Sequence, residues 1–150
     1  MIKSSPGERA NVNKLRREIK KLAGRYNLQL IYAFGSRAKE AYELTRGKKA
    51  ALQASSSDLD IGLKSGQPLG VEEKVKIGVF FEDLFGVPRV DVVMLPEAPV
   101  MLALEIVQGE LLFAEDDRYE AEYQLYIMRL AAELAPFERM KRDLILEIRK

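Results

Sequence analysis

The chain has 150 residues, of which 47% are hydrophobic and 31% charged, and its formal net charge is +1. These values predict one soluble domain of ordinary size, with no general attraction to nucleic acid or to anionic membranes. The sequence contains neither cysteine nor histidine, which excludes disulfides, zinc–thiolate sites, thiol nucleophiles and histidine-based triads. Any catalysis must therefore use carboxylates, hydroxyls, lysine or arginine, and oxygen-rich sites of that kind select hard ions such as Mg²⁺.

The N-terminal segment 1–10 is polar, lacks the apolar core of a signal peptide and is predicted to be flexible. No apolar run is long enough to span a bilayer, so we expect a soluble protein, and the absence of cysteine fits a cytoplasmic one. Asn11 or Asn13 could cap a first helix whose apolar stripe runs from Val12 to Tyr26. The basic residues of this helix are predicted to form a face exposed to solvent; the alternative is that they contact an anionic partner.

The apolar run 28–34 predicts the first strand, which Gly35 and Ser36 close. A short helix is predicted from Ser36 to Leu44. A glycine and a hydroxyl at a turn from strand to helix suit the binding of a phosphate group. The following segment, 45–57, is polar and poorly periodic, which predicts a mobile loop over the site.

The second predicted strand, 58–63, begins with Asp58 and Asp60. Side chains two residues apart on a strand share a face, so these carboxylates lie side by side and repel each other unless a cation or solvent intervenes. A solvated strand start would explain this pair by itself. Together with the Gly-Ser turn, however, the pair indicates a site for a metal ion and a nucleoside triphosphate.

A helix is predicted from Val71 to Phe85, because Gly86 is a natural stop and Pro88 prevents continuation. Four of its apolar side chains are expected to point inward: Val75, Phe81, Leu84 and Phe85.

The third predicted strand, 89–95, contains Asp91 within a strongly apolar run. Burying this carboxylate without a partner would be costly, so it needs a counter-ion. A structural ion pair with Arg37 or Arg89 is one explanation. Beside Asp58 and Asp60, a third metal-binding carboxylate is the better one.

The remainder of the chain predicts a short helix over 99–107, a strand over 109–113 and a C-terminal helical extension within 115–150. From about Asp117 this extension forms one long helix or one that Pro136 breaks. It either packs an amphipathic face on its own sheet or, with tyrosines at 119, 123 and 126, offers a docking surface. No internal repeat is visible, and we expect residues 1–150 to form a single domain.

Three segments together resemble the polymerase-beta-type nucleotidyltransferases, and within them the minimal nucleotidyltransferases (MNT) that accompany HEPN-domain toxins as antitoxins. These segments are Phe34–Ala38, Ser57–Leu63 and Val90–Val93, and the passage Leu104–Phe113 is also similar. The resemblance implies an α/β (α+β) nucleotidyltransferase fold, a small mixed sheet flanked by helices, with a long C-terminal helix. This chain departs from the family in one respect, because 21 residues separate Ser36 from Asp58, more than is usual there.

The resemblance also implies a mechanism, in which two Mg²⁺ ions and ATP meet at the predicted site. Asp58 and Asp60 would hold the two ions, and Asp91 would ligate the ion that activates the acceptor hydroxyl. Gly35 and Ser36 would bind the triphosphate. Arg37 would contact a phosphate, unless it is merely a surface arginine, and Lys48 and Lys49 could reach the nucleotide from the loop.

The implied activity is the transfer of AMP from ATP to a hydroxyl, specifically a tyrosine of a HEPN-domain partner. One alternative is an antitoxin that neutralises its partner by binding without catalysis. Another is a transferase acting on a small molecule of the aminoglycoside type, which the lack of an extra substrate domain disfavours. The sequence leaves the oligomeric state open.

Overall fold

A computed structural model describes residues 6–48 and 58–148 of the chain, with the side chains of 6–12 left out. Five helices and four strands follow one another in this part, with a 3₁₀ turn after the third strand. They are α1 (Pro6–Tyr26), β1 (Leu28–Phe34), α2 (Ala38–Thr45), β2 (Leu59–Ser65), α3 (Val71–Phe85), β3 (Val90–Met94), the 3₁₀ turn (Leu95–Glu97), α4 (Val100–Val107), β4 (Glu110–Ala114) and α5 (Asp117–Ile148). The α/β class predicted from the sequence is confirmed.

The described strands form one mixed sheet in the order β3-β2-β1-β4. β1 runs antiparallel to both of its neighbours, whereas β2 and β3 are parallel. α3 supplies the crossover that a parallel pair requires, because consecutive parallel strands cannot be joined by a tight turn.

Helices cover both faces of the sheet and give two apolar cores. On one face, Ile31 and Ala33 of β1 pack with α1, α2 and α3. On the other face, Leu30 and Tyr32 pack with α4 and the start of α5. A strand buried on both faces is apolar along most of its length, as β1 is apart from Gln29, which explains why the bounds predicted for β1 are confirmed without change.

The first helix begins earlier than the sequence predicts. α1 starts at Pro6, and proline suits a first helical turn because its missing N–H has no partner there in any case. Asn11 and Asn13 therefore lie inside the helix, and the prediction that one of them caps it is wrong. Residues 6–10 are helical, residues 1–5 lie outside the described part, and the flexibility of 1–10 stays a prediction.

Several other boundaries differ from the prediction by one or two residues. α2 begins at Ala38 rather than Ser36, because residues 35–37 form the turn that leaves β1. β2 begins at Leu59, so Asp58 precedes it, and β3 ends at Met94, where the 3₁₀ turn begins. The loop predicted over 45–57 lies outside the described residues from position 49 onward.

The bounds predicted for α3 are confirmed, and Gly86 adopts the left-handed conformation that commonly ends a helix. Its buried face differs in part from the prediction. Val75 is 59% exposed, so its predicted inward orientation is wrong. The buried face runs instead through Ile77, Phe81 and Phe85, which follow the four-residue spacing of a helix.

α5 is one continuous helix that passes through Pro136. Its first half packs on the domain, with Ile127 buried and the Tyr32 hydroxyl donating a hydrogen bond to Glu120 Oε1 over 2.6 Å. Its second half is exposed, as Phe137 at 67% shows. The predicted packing on the sheet therefore holds for the first half of the helix only.

Candidate functional site

Gly35 follows β1 in a left-handed conformation, with φ at +77°. A Cβ atom at this position would lie 2.6 Å from Asp60 Oδ2 on the neighbouring strand. Only glycine therefore allows the backbone of the turn to approach the carboxylate so closely. The sequence predicted a close approach of this backbone to a phosphate, and the structure shows that its near neighbour is a predicted metal ligand.

The strand register brings two of the predicted acids together. Asp60 pairs with Phe34 on one side and with Asp91 on the other. Leu59 and Ile61 are fully buried in the core beneath α3, so Asp60 points to the opposite face, where α4 lies. Asp91 shares that face, because residues opposite each other in a parallel ladder point the same way.

Asp58 and Asp91 both lie near the guanidinium of Arg89. The Arg89 Nε atom is 3.6 Å from Asp58 Oδ2 and 3.9 Å from Asp91 Oδ1. Of the two ion-pair partners that the sequence offered for Asp91, Arg89 is confirmed, and Arg37 forms an ion pair with Glu40. Because Arg89 is mostly exposed, solvent screens these pairs and each contributes little stability.

Asp91 is less buried than the sequence predicts. Its side chain is 48% exposed, because β3 is the outermost strand in the described sheet. The prediction that burial forces this carboxylate to find a partner is therefore wrong. An exposed acid at the edge of the sheet remains open to a substrate or a cation.

Electrostatic crowding is strongest at Asp60. Partial burial raises the pKa of this carboxyl above its ordinary value, and the negative charges of Asp91, Asp58 and Glu105 raise it further. Repulsion among acids raises a pKa because it disfavours the ionised form. The three predicted acids are therefore electrostatic neighbours, as expected.

Glu105 is an acid of this site that the sequence analysis did not single out. It lies on α4, next to Ile106. A Cβ atom on Gly62 of β2 would collide with Ile106, so this part of α4 lies directly against the strand that carries Asp60. The signal available in the sequence was Gly62 itself, two residues after Asp60, because glycine within a strand often marks a close approach.

The donor set fits a hard divalent cation in its chemistry. In residues 13–48 and 58–148, whose side chains the structure describes, no three acidic side chains converge closely enough to hold a metal ion, and two of the acids turn toward Arg89. The register nevertheless places Asp60 beside Asp91, so turning the Asp91 carboxylate from Arg89 toward Asp60 requires rotation of the Asp91 side chain and no change of backbone. Carboxylate oxygens are the ligands that Mg²⁺ prefers.

Ser36 and Arg37 occupy the same turn in different environments. Ser36 is exposed beside Gly35, where its hydroxyl is accessible to a ligand. Arg37 is only 3% exposed, with a guanidinium nitrogen 3.7 Å from Glu40 Oε2, so the alternative of a surface arginine is wrong. Its contact with a phosphate stays a prediction. Lys48 is exposed beyond the end of α2, and Lys49 lies outside the described residues.

No helix in the described part of the chain has the length and apolar character needed to cross a membrane.

Several solved structures share the fold of this chain. A chain from the crystal structure of a mutant toxin–antitoxin MntA-HpeT has a TM-score of 0.67 and 20% identity, over 87% of this chain and 98% of that one. A chain from the crystal structure of a toxin–antitoxin with AMP-PNP has a TM-score of 0.67 and 21% identity, over 87% of this chain and 98% of that one. A chain from the complex of the tri-AMPylated Shewanella oneidensis HEPN toxin with MNT antitoxin has a TM-score of 0.64 and 19% identity, over 93% of this chain and 98% of that one.

At these identities the likeness establishes the fold. No curated protein matches the sequence significantly. The family model described as polymerase beta, nucleotidyltransferase, matches residues 17–118, a range that includes the Gly-Ser turn and all four acids of the site. The chain therefore belongs to the polymerase beta nucleotidyltransferase family.

Proposed function

We propose that this protein transfers AMP from ATP to a tyrosine hydroxyl of a HEPN-domain toxin and thereby acts as its antitoxin. The observation that carries the proposal is the position of Asp60, which pairs with Asp91 and lies against the backbone of Gly35. An acid pair and a turn suited to phosphate thus meet at one point of the sheet. We place the reaction in the cytoplasm, where ATP is available.

In the proposed reaction, the acceptor oxygen forms a bond to the α-phosphorus of ATP. The bond from that phosphorus to the bridging oxygen of the β-phosphate breaks, and pyrophosphate leaves. Ser36 would donate a hydrogen bond to the terminal phosphates, and the turn at Gly35 would let them approach the backbone. Asp91, exposed at the sheet edge, would accept the proton of the hydroxyl.

Asp58, Asp60 and Asp91 are the residues that would hold Mg²⁺, and the resemblance implies two ions. When bound, the metal neutralises the triphosphate and lowers the pKa of the attacking hydroxyl. The charges of the chain support this assignment, because a cation would relieve the repulsion that adds to burial in raising the pKa of Asp60. Arg89 balances part of the same charge in the structure described here.

The partner is proposed from the complexes in which the structural neighbours occur. One neighbour comes from a complex of a tri-AMPylated HEPN toxin with an MNT antitoxin, and another from a toxin–antitoxin with AMP-PNP. Transfer of this pairing to the present chain is an inference from a shared fold. If the pairing holds for this chain, we expect a reading frame for a HEPN-domain protein beside its gene.

The experiment combines rescue of growth with label transfer. The HEPN-domain protein from the neighbouring gene is expressed with the wild-type chain, with Asp60→Asn, or with Asp83→Asn, which alters an exposed aspartate of α3 as a control. We expect wild type and Asp83→Asn to rescue growth and to label the partner from ATP in the presence of Mg²⁺, and Asp60→Asn to do neither.

Rescue by Asp60→Asn without label transfer would instead support the antitoxin that acts by binding alone. Absence of a toxic HEPN-domain partner, together with AMP transfer to a small hydroxyl compound, would support the small-molecule transferase.

A further inference from the structure

The second half of α5 carries an apolar stripe that the described fold leaves uncovered. Its positions alternate in steps of three and four residues, the spacing of a helix that packs lengthwise against another helix. Four of them are apolar and the central one is a lysine: Leu134, Phe137, Lys141, Leu144 and Ile148, which we call the α5 seam. Phe137 is 67% exposed and Ile148 is 83% exposed.

The α5 seam continues a stripe that is already packed. Tyr123 and Ile127 precede it at the same spacing, and both pack with the core that includes α4. Gln124 also donates a hydrogen bond to the Val107 carbonyl over 3.1 Å, and Glu120 accepts the bond from Tyr32. The helix is therefore fixed to the domain at its first turns, so a partner would bind a helix that is already formed, at a lower cost in conformational entropy.

The charges beside the α5 seam have one sign. Glu133, Glu138 and Glu147 occupy the flanking positions, whereas Arg139 and Arg142 lie toward the opposite side of the helix. Flanking charges of a helix pair select the partner, because opposite signs attract and like signs repel. The surface therefore suits a helix with lysine or arginine beside its own apolar stripe.

A second copy of this chain would fit the α5 seam poorly. In a parallel pair, Lys141 would face Lys141 and Glu133 would face Glu138 of the other copy. In an antiparallel pair, Glu138 would face Glu138 and Glu133 would face Glu147. Like charges meet in both arrangements, so the charge pattern opposes self-pairing and favours a different molecule.

We propose that the α5 seam docks one amphipathic helix of a partner protein, with basic residues flanking its apolar stripe and an acid opposite Lys141. Docking in this manner requires no nucleotide and goes beyond the transfer reaction. Where the partner is the HEPN-domain protein, the proposal rests on the proposed function. It then assigns α5 to holding the partner and the Gly35–Asp60 region to modifying it.

The test measures binding of a fluorescent peptide to the full chain. One designed helical peptide has lysine at the flanking positions and glutamate opposite Lys141, and its twin has glutamate at the flanks. We expect the basic peptide to bind about tenfold more tightly than its twin at low salt, and this preference to shrink as salt rises. The double variant Glu133→Lys with Glu138→Lys should reverse the preference.

Phe137→Glu and Leu146→Glu form a matched pair, because both place an acid at an exposed apolar position of α5 and Leu146 lies on the side opposite the α5 seam. We expect Phe137→Glu to weaken binding about tenfold or more and Leu146→Glu to leave it unchanged. The same two variants are then tested for capture of the HEPN-domain protein, with the same expectation.

Three outcomes would overturn the proposal. The two peptides could bind equally, neither peptide could bind, or Phe137→Glu and Leu146→Glu could have equal effects on binding. A stable dimer in sedimentation that Phe137→Glu dissociates would also overturn it, in favour of a second copy. Failure of the proposed function gives a different result, in which the peptide preference and partner capture persist and no AMP is transferred.

Discussion

Gly35 and Gly86 both adopt a left-handed backbone conformation, with φ at +77° and +66°, but their surroundings differ. A Cβ atom at Gly86 would meet nothing within 4 Å, whereas one at Gly35 would lie 2.6 Å from Asp60 Oδ2. Alanine at either position therefore carries the same conformational penalty, about 1 kcal/mol. Only Gly35→Ala also displaces a carboxylate of the site, so Gly86→Ala is its matched control.

The size of the displacement follows from the same distance. Ordinary contacts of a Cβ atom begin at 3.4 Å, so the oxygen of Asp60 must retreat by roughly 0.8 Å if the backbone of the turn stays in place. Misplacing a reacting group by about 1 Å can reduce a rate on the order of 100-fold. We expect a loss of about that size in AMP transfer for Gly35→Ala and little loss for Gly86→Ala.

Two assays separate these effects. Urea unfolding measures the free energy of unfolding, which should fall by about 1 kcal/mol or somewhat more in both variants. Transfer of AMP to the partner, measured with the folded variants, should separate them by about two orders of magnitude. Equal transfer rates for the two variants would refute the reasoning that the glycine at 35 serves the position of Asp60.

Three further predictions concern charge and stability. Since the pKa of Asp60 is raised in the folded state, its ionisation opposes folding at neutral pH. Asp60→Asn should therefore raise the free energy of unfolding by less than about 1 kcal/mol at pH 7. The gain should vanish at a pH below 3.8, the ordinary pKa of this carboxyl, because Asp60 is then protonated in the folded and the unfolded state. Urea titrations that show the same gain at pH 7 and at this low pH would contradict the prediction. Tyr32→Phe removes the donor to Glu120 and should cost about 1–2 kcal/mol in the same assay, whereas an unchanged midpoint would show that this bond does not anchor α5. Millimolar Mg²⁺ with ATP should raise the melting temperature of wild type but not of Asp60→Asn, and equal shifts in both would count against the site.

The sequence predicts best those elements whose surroundings are uniform. β1 is buried on both faces, so its apolar run alone defines its bounds. α3 ends where predicted, because Gly86 can adopt the left-handed conformation without strain. The structure sets the Gly35 turn against Asp60, which pairs with Asp91. Asp58 precedes β2, so strand alternation does not place it on the face of Asp60, and its part in a shared site stays a prediction.

What the sequence could not predict depends on neighbours distant in the chain. The exposure of Asp91 follows from the place of β3 at the edge of the described sheet. The apolar pattern of one strand does not predict the order of the strands, so the sequence could not predict this exposure. The ion pair of Arg89 with Asp91 was predicted, but its second contact, with Asp58, depends on how β3 pairs with β2. The α5 seam and Ile127 have similar apolar residues, yet only Ile127 meets the domain, so periodicity could not distinguish them.

The central claim is that the Gly35–Asp60 region transfers a nucleotidyl group to a protein. The measurement that tests it most directly incubates the chain and its HEPN-domain partner with Mg²⁺ and ATP labelled at either the α- or the γ-phosphate. The account predicts that the α-label becomes bound to a tyrosine of the partner, that the γ-label leaves with pyrophosphate, and that Asp60→Asn abolishes the transfer. Label on the partner from the γ-position, or equal α-labelling by wild type and Asp60→Asn, would contradict it.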